Sequence, residues 1–252
     1  MVGTAPESHR TAYPQAVLVT GSAQRIGCHI ARDFATQGWG VAVHYNESRD
    51  QAENLVGQIQ ASGGRAVALG ADLSQESETQ GLVQRACDQL GPLGCLVNNA
   101  SVFEHDHIED ATRQSWDRHI EINLRAPMVL IQSFASALPT GACGSVINIL
   151  DQRVWNLPDD YVSYSLSKSG LWTLTQSLAK ALAPRIRINA IGPGYALAER
   201  GVTPDQYGAA VRQLPLGRST DPEEICRAIR FLLTCGSITG QMLAMDGGEH
   251  LA

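Results

Sequence analysis

An alternation constrains this chain more than any single motif. Seven short apolar runs, AVLVT, GVAVHY, RAVALGAD, GCLVNNA, GSVINIL, IRINAIG and QMLAMDGG, are separated by longer stretches in which apolar residues recur at helical spacing. A run that is apolar throughout, and not only at every second position, belongs to a strand covered on both faces. Such strands alternating with helices predict an α/β fold: a Rossmann-like, doubly wound parallel sheet of about seven strands, with helices on both faces. Helices are expected near 25–37, 48–64, 76–91, 113–137, 161–182, 203–213 and 222–234. No Pro/Gly/Ser linker and no internal repeat interrupts the pattern. Residues 15–252 are therefore read as one domain behind a flexible polar leader, 1–14.

Composition removes several function classes. Hydrophobic residues make up 44% of the chain and charged residues 17%, enough apolar material for a large core. The formal net charge of -6 is the opposite of a nucleic-acid footprint. No run of about 18 apolar residues is present to span a bilayer, and the leader lacks the apolar stretch of a signal peptide. A cytoplasmic protein with neither nucleic-acid nor membrane partners is expected. The six cysteines, Cys28, Cys87, Cys95, Cys143, Cys226 and Cys235, include no CxxC pair, which favours buried reduced thiols over disulfides or a zinc ribbon. The EHDH stretch at 104–107 resembles a metal cluster, but adjacent loop residues rarely converge on one ion, and no metal site is assigned.

In doubly wound sheets ligands lie beyond the carboxyl ends of the strands, so residues just after each run should hold the chemistry. In TGSAQRIG, at 20–27, Gly21 permits a sharp turn and Gly27 lets the following helix pack closely. The free N–H groups of that helix start would attract an anion. The spacing is not GxGxxG, and a bulky Arg25 stands where glycine is expected. After the second run, His44, Tyr45 and Asn46 occupy the place where an acidic residue commonly holds a ribose 2′-hydroxyl. The missing carboxylate leaves room for a 2′-phosphate, with Ser48 as donor and Arg25 or Arg49 as counter-charge. NADPH is the expected cofactor, although Glu47 argues mildly for NADH. Further on, Tyr164 and Lys168 stand four residues apart and share one face of a predicted helix. An ammonium beside a phenol favours the phenolate, which makes Tyr164 a usable proton donor.

Taken in order, residues 20–27, 98–101, 164–168 and 193–194 resemble the TGxxxGxG, NNAG, YxxxK and PG motifs of the short-chain dehydrogenase/reductase family, over nearly the whole chain. The resemblance implies that Tyr164 is the general acid and that Lys168 lowers its pKa and binds the nicotinamide ribose. Asn123, in EINLRAP, would hold a proton-relay water. Asp72 and Leu73 would contact the adenine, and Asn99, Ala100 and Ser101 the cofactor ribose. Gly21, Arg25 and Ile26 would cradle phosphates, while Pro193 and Gly194 would complete the cofactor site. A homotetramer is implied as well.

Several positions depart from the common family pattern. Asp151, in VINILDQR, stands where the catalytic serine is usual, Ser101 replaces the glycine of NNAG, and Phe103 follows. With Arg25, these departures resemble the pteridine reductase and dihydromonapterin reductase branch. That branch holds a pterin between nicotinamide and phenylalanine, with the arginine near the cofactor phosphates and the pterin's polar edge. The implied reaction is NADPH-dependent reduction of a dihydropterin, with dihydrofolate as a further candidate, to the tetrahydro form. Asp151, Tyr164, Lys168 and Asn123 would be catalytic, and Arg25, Ser101, Phe103, Asp151 and Tyr164 would meet the substrate. The loop at 195–208, which lacks the threonine frequent after PG, is expected to border that substrate. Two alternatives stay open: a general carbonyl reductase such as a 3-oxoacyl carrier-protein reductase, which calls for serine in place of Asp151, and a non-catalytic nucleotide sensor.

Overall fold

In the first strand, β1 (Ala16–Val19), alternate side chains enter two different cores. Val17 and Val19 join one core, and Ala16 and Leu18 join the other, as the two-residue period of a strand requires. Both faces are therefore buried, which is why the run is apolar throughout. The computed structural model describes residues 13–198 and 201–252. Its remaining strands are β2 (Gly40–Tyr45), β3 (Arg65–Gly70), β4 (Cys95–Asn98), β5 (Gly144–Ile149), β6 (Ile186–Pro193) and β7 (Met242–Met245). All pair in parallel, in the order β3-β2-β1-β4-β5-β6-β7.

Among the described residues eight α-helices cover the sheet: α1 (Arg25–Thr36), α2 (Arg49–Ala61), α3 (Glu76–Leu90), α4 (Arg113–Ile120), α5 (Ala126–Ala137), α6 (Val162–Leu182), α7 (Pro204–Gln213) and α8 (Pro222–Thr234). On one face Ile30 and Phe34 of α1, Leu55 of α2 and Ile225 of α8 pack against Val17, Val41 and Val43. On the other, Leu82 of α3 and Leu130 and Phe134 of α5 pack against Leu18, Leu96 and Val146. Truncating a fully buried side chain such as Leu18 to alanine costs about 2–5 kcal/mol. Thr112, Thr203 and Asp221 start α4, α7 and α8 with reciprocal capping boxes, the last two followed directly by proline. All six cysteines are unpaired. Among the described residues no helix is long and apolar enough to cross a membrane.

One element differs from its expectation. The helix expected through 113–137 is interrupted by a π turn, Glu121–Arg125, between α4 and α5. Pro127 supplies the physical reason: it has no N–H to offer the Asn123 carbonyl, and its ring crowds that carbonyl. The ladder widens there, a distortion that collects at functional sites.

Candidate active site

The strand order reverses between β1 and β4, and the loops beyond their carboxyl ends open onto a cavity of about 770 Å³. Its first wall is the turn after β1. Gly21 has φ +60, and a Cβ there would stand 2.9 Å from the Ala100 Cα. A Cβ on Gly27 would stand 2.5 Å from the Gly21 carbonyl and 2.6 Å from the Asn99 side-chain nitrogen. Both positions require glycine. The Thr20 hydroxyl accepts the backbone N–H groups of Asn99 (2.9 Å) and Ala100 (3.0 Å). In return, the Asn99 amide donates to the carbonyls of Thr20 (2.8 Å) and Gly21 (3.1 Å).

His44 completes this lock. Its Nδ1 accepts the Gly21 N–H at 2.9 Å, so Nε2 carries the proton and donates to the Ala71 carbonyl at 3.0 Å. Burial lowers its pKa to about 4 and keeps the ring neutral. His44 therefore holds the loop in place, with both ring nitrogens committed to backbone.

Arg25 adopts φ 54, in the left-handed region that favours glycine. That conformation costs an ordinary residue about 1–2 kcal/mol. Its guanidinium donates to the Ala198 carbonyl at 3.0 Å and the Leu197 carbonyl at 3.3 Å, which ties the turn after β1 to the segment after β6. The other proposed counter-charge, Arg49, pairs with Glu53 at 2.7 Å. Ser48 accepts from the Gln24 amide at 3.1 Å, and Asp72 accepts the Ser74 N–H at 2.9 Å.

The opposite wall is built from the ends of β5, β6 and β7 and from α6. The Tyr164 hydroxyl donates to Asp151 Oδ2 at 2.7 Å. Asp151 also caps the short 3-10 turn Gln152–Val154, its Oδ1 accepting the Arg153 N–H at 2.9 Å. Lys168, one helical turn beyond Tyr164, is buried. Its Nζ donates to the Ile149 carbonyl at 2.9 Å and lies 5.7 Å from the Tyr164 ring centre. Burial lowers its pKa to about 8, against the opposing pull of the Asp151 charge.

Phe103 lines the cavity within an aromatic cluster. Tyr161 is stacked on its ring at 4.5 Å, and Tyr164 meets it edge-on at 4.6 Å. The Arg153 guanidinium lies 4.9 Å from the Phe103 ring and 5.0 Å from that of Tyr161. Tyr161 reaches this stack from a left-handed backbone, φ 50, just before α6.

Of the residues given a site role in the sequence, Asn123 and Arg49 do not line the cavity. The Asn123 side chain accepts the Val102 N–H at 2.8 Å and donates to the Val102 carbonyl at 2.9 Å and the Ser167 hydroxyl at 3.0 Å. That side chain is a positioning group, which pins the segment before Phe103 to α6. The EHDH residues serve the same scaffold. Asp106 is buried, and accepts the Ser163 N–H at 3.2 Å and the Ser163 and Ser115 hydroxyls. Burial opposes its charge, but these bonds hold its carboxyl below the ordinary range. Glu104 pairs with Arg118 at 2.5 Å.

Tyr195 and Tyr207 line the cavity from the 195–208 loop expected to border the substrate, whereas Gln152, Arg153, Tyr161 and Glu249 carry no motif that marks them. Arg153 stands two positions from Asp151 and Glu249 follows the DGG turn directly; those adjacencies were the only signal. Glu249 is half-buried. Burial and the neighbouring Asp151 charge, only partly countered by Arg153, push its pKa up to about 7.

Comparison with known proteins agrees with this geometry. The family model described as enoyl-(acyl carrier protein) reductase matches residues 21–250. Among solved structures, the FolM alternative dihydrofolate reductase 1 of Brucella canis, in complex with NADP, superposes with a TM-score of 0.93 at 45% identity, covering 96% of each chain. An uncharacterised oxidoreductase of Methylorubrum extorquens is 36% identical over 239 residues, 92% of this chain and 96% of its own. The 3-oxoacyl-[acyl-carrier-protein] reductase FabG of Staphylococcus epidermidis is 29% identical over 242 residues, 94% of this chain and 99% of its own. With the parallel seven-stranded sheet, the glycine turn after β1 and the Tyr164–Lys168 pair on α6, the chain belongs to the short-chain dehydrogenase/reductase family.

Proposed function

We propose that this protein is an NADPH-dependent reductase of dihydropterins, with dihydrofolate as a further candidate substrate. The observation that carries the reading is the 2.7 Å hydrogen bond from the Tyr164 hydroxyl to Asp151. A carbonyl substrate is an acceptor and gains nothing from a carboxylate beside the proton donor. A reduced nitrogen heterocycle presents N–H groups, for which a carboxylate is the natural partner. The similarity to an alternative dihydrofolate reductase supports the same reading.

The cavity fits the cofactor. Gly21 and Gly194 both line it, Gly21 packed too closely on Ala100, and Gly194 on Asp246 and Glu249, to carry a Cβ. The 20–27 turn would hold the phosphates, Asn46 and Ser48 a 2′-phosphate, Asp72 and Leu73 the adenine, and Asn99, Ala100, Ser101 and Lys168 the riboses. Bound NADPH supplies the hydride. This chain manages the proton: Tyr164 donates from its hydroxyl to the substrate nitrogen beside the reduced carbon. Lys168, its ammonium beside the ring, favours the phenolate left behind. Asp151 holds the hydroxyl in place and, once that proton turns to the substrate nitrogen, its carboxylate accepts a substrate N–H.

The likeness to FabG makes a 3-oxoacyl thioester the competing substrate. NADPH oxidation followed in parallel with 7,8-dihydrobiopterin, dihydrofolate and an acetoacetyl thioester separates the two. Turnover of a dihydropterin is the expected result; turnover of the thioester alone would overturn the proposal.

A further inference from the structure

We propose that Glu249, on the 3-10 turn after β7, is a specificity-determining residue that accepts a hydrogen bond from an N–H donor of the substrate heterocycle, on the same cavity wall as Asp151. The inference rests on the dihydropterin reading above and extends it to a residue that the sequence motifs leave out.

Position argues for it first. A Cβ on residue 194 would stand 2.6 Å from Glu249 Oε2 and 2.9 Å from the Asp246 Cα, so Gly194 leaves the space that the carboxyl occupies. Glu249 lines the cavity beside Gln152 and Asp151, at the end where Tyr164 presents its hydroxyl. The turn that carries it is clamped. The Asp246 carboxylate accepts the N–H groups of Gly248 (3.0 Å) and His250 (2.9 Å) and pairs with the His250 ring at 2.7 Å. Asn156 donates to the Ala252 carbonyl at 3.0 Å, and Trp155 meets the His250 ring edge-on at 5.4 Å. A side chain presented from so fixed a platform can read a ligand's edge without first being ordered.

Its surroundings argue second. The groups facing Glu249 are Asp151, Gln152 and Arg153 from the segment after β5 and Asp246 from the end of β7, with the Gln152 amide bonded to its carboxyl. Two carboxyl groups share this wall with one guanidinium, and that guanidinium is drawn towards Asp151 at 3.8 Å and towards the Phe103 and Tyr161 rings. Asp151 and Glu249 thus both bring acceptors to this wall. A reduced nitrogen heterocycle with ring N–H groups and a ring amine offers donors that a carboxyl group accepts. An acyl thioester offers none at that point. Glu249 therefore discriminates between the two substrate classes as well as adding affinity.

The test is the variant Glu249→Gln, which keeps size and removes the charge, with Glu249→Asp as the conservative partner. Steady-state kinetics with 7,8-dihydrobiopterin are measured from pH 6 to 8.5, alongside NADPH affinity by fluorescence titration. The wild-type KM should fall as pH rises through about 7, where the carboxyl ionises. In Glu249→Gln the KM should be about tenfold higher at pH 8 and lose that dependence, with kcat changing far less and NADPH affinity unmoved. Glu249→Asp should recover the pH dependence in part. A KM within twofold of wild type at every pH, or a loss confined to NADPH affinity, would overturn this inference alone. A wild-type enzyme that does not turn over dihydrobiopterin would overturn the reaction assignment and this inference together.

Discussion

At the end of the cavity beyond β1 and β2, the wall is a backbone turn locked by Thr20, His44 and Asn99, with Gly21 and Gly27 along the space. At the end beyond β5 and β7, side chains make the surface, with Asp151, Arg153, Tyr164 and Glu249 contributing charge and protons. A backbone cradle suits a ligand part that every relative shares. Side chains on a fixed sheet edge can be exchanged without disturbing the strands, and that is where a family with one fold distributes its substrates. Arg25 joins the two ends, anchored in the first turn and bonded to the carbonyls of Leu197 and Ala198.

Variants at the two ends should therefore fail differently. The largest effect is expected from Tyr164→Phe, which removes the hydroxyl proton. Turnover should fall about a thousandfold while NADPH affinity holds, read by NADPH absorbance and a cofactor titration. Equal losses in both would mean that the substrate end cannot be perturbed separately. Next, Asp151→Ser should lower kcat/KM for dihydrobiopterin about a hundredfold and spare, or improve, the acetoacetyl thioester. Competition between the two substrates measures the ratio. At the other end, Gly21→Ala forces a Cβ to within 2.9 Å of the Ala100 Cα at φ +60. It should destabilise the fold by about 1–3 kcal/mol in a denaturant titration and weaken NADPH binding about tenfold for every substrate alike. The smallest effect concerns pH. Lys168 has its pKa lowered to about 8, so it is charged below that pH and neutral above it. kcat should accordingly fall by about half between pH 7 and 8, and about fivefold more by pH 9.

The sheet was legible because parallel strands buried on both faces write themselves as unbroken apolar runs; β2, for example, is the run GVAVHY in full. The phosphate turn was legible for a related reason, since positive φ and close approach admit only glycine at Gly21 and Gly27. The substrate end was legible only in part. Tyr164 and Lys168 are tied by helical spacing, and the departure at Asp151 marked a change of chemistry. The π turn at Asn123 was hidden, because the helical period runs on through it and only Pro127 interrupts it. The Tyr161 ring on Phe103, and Glu249 close to Asp151, depend on chain segments far apart in sequence that meet only after the sheet has assembled. Local pattern carries no trace of such pairings.

The central claim is that Asp151 and Tyr164 together face a donor-bearing ring. A crystal structure with NADP and 7,8-dihydrobiopterin bound tests it most directly. The account predicts the ring beside Phe103, with one N–H on the Asp151 carboxylate and the Tyr164 hydroxyl within hydrogen-bonding distance of the nitrogen next to the reduced carbon. A ring bound elsewhere in the cavity, with the Tyr164 hydroxyl still bonded to Asp151 and not to the ring, would contradict it.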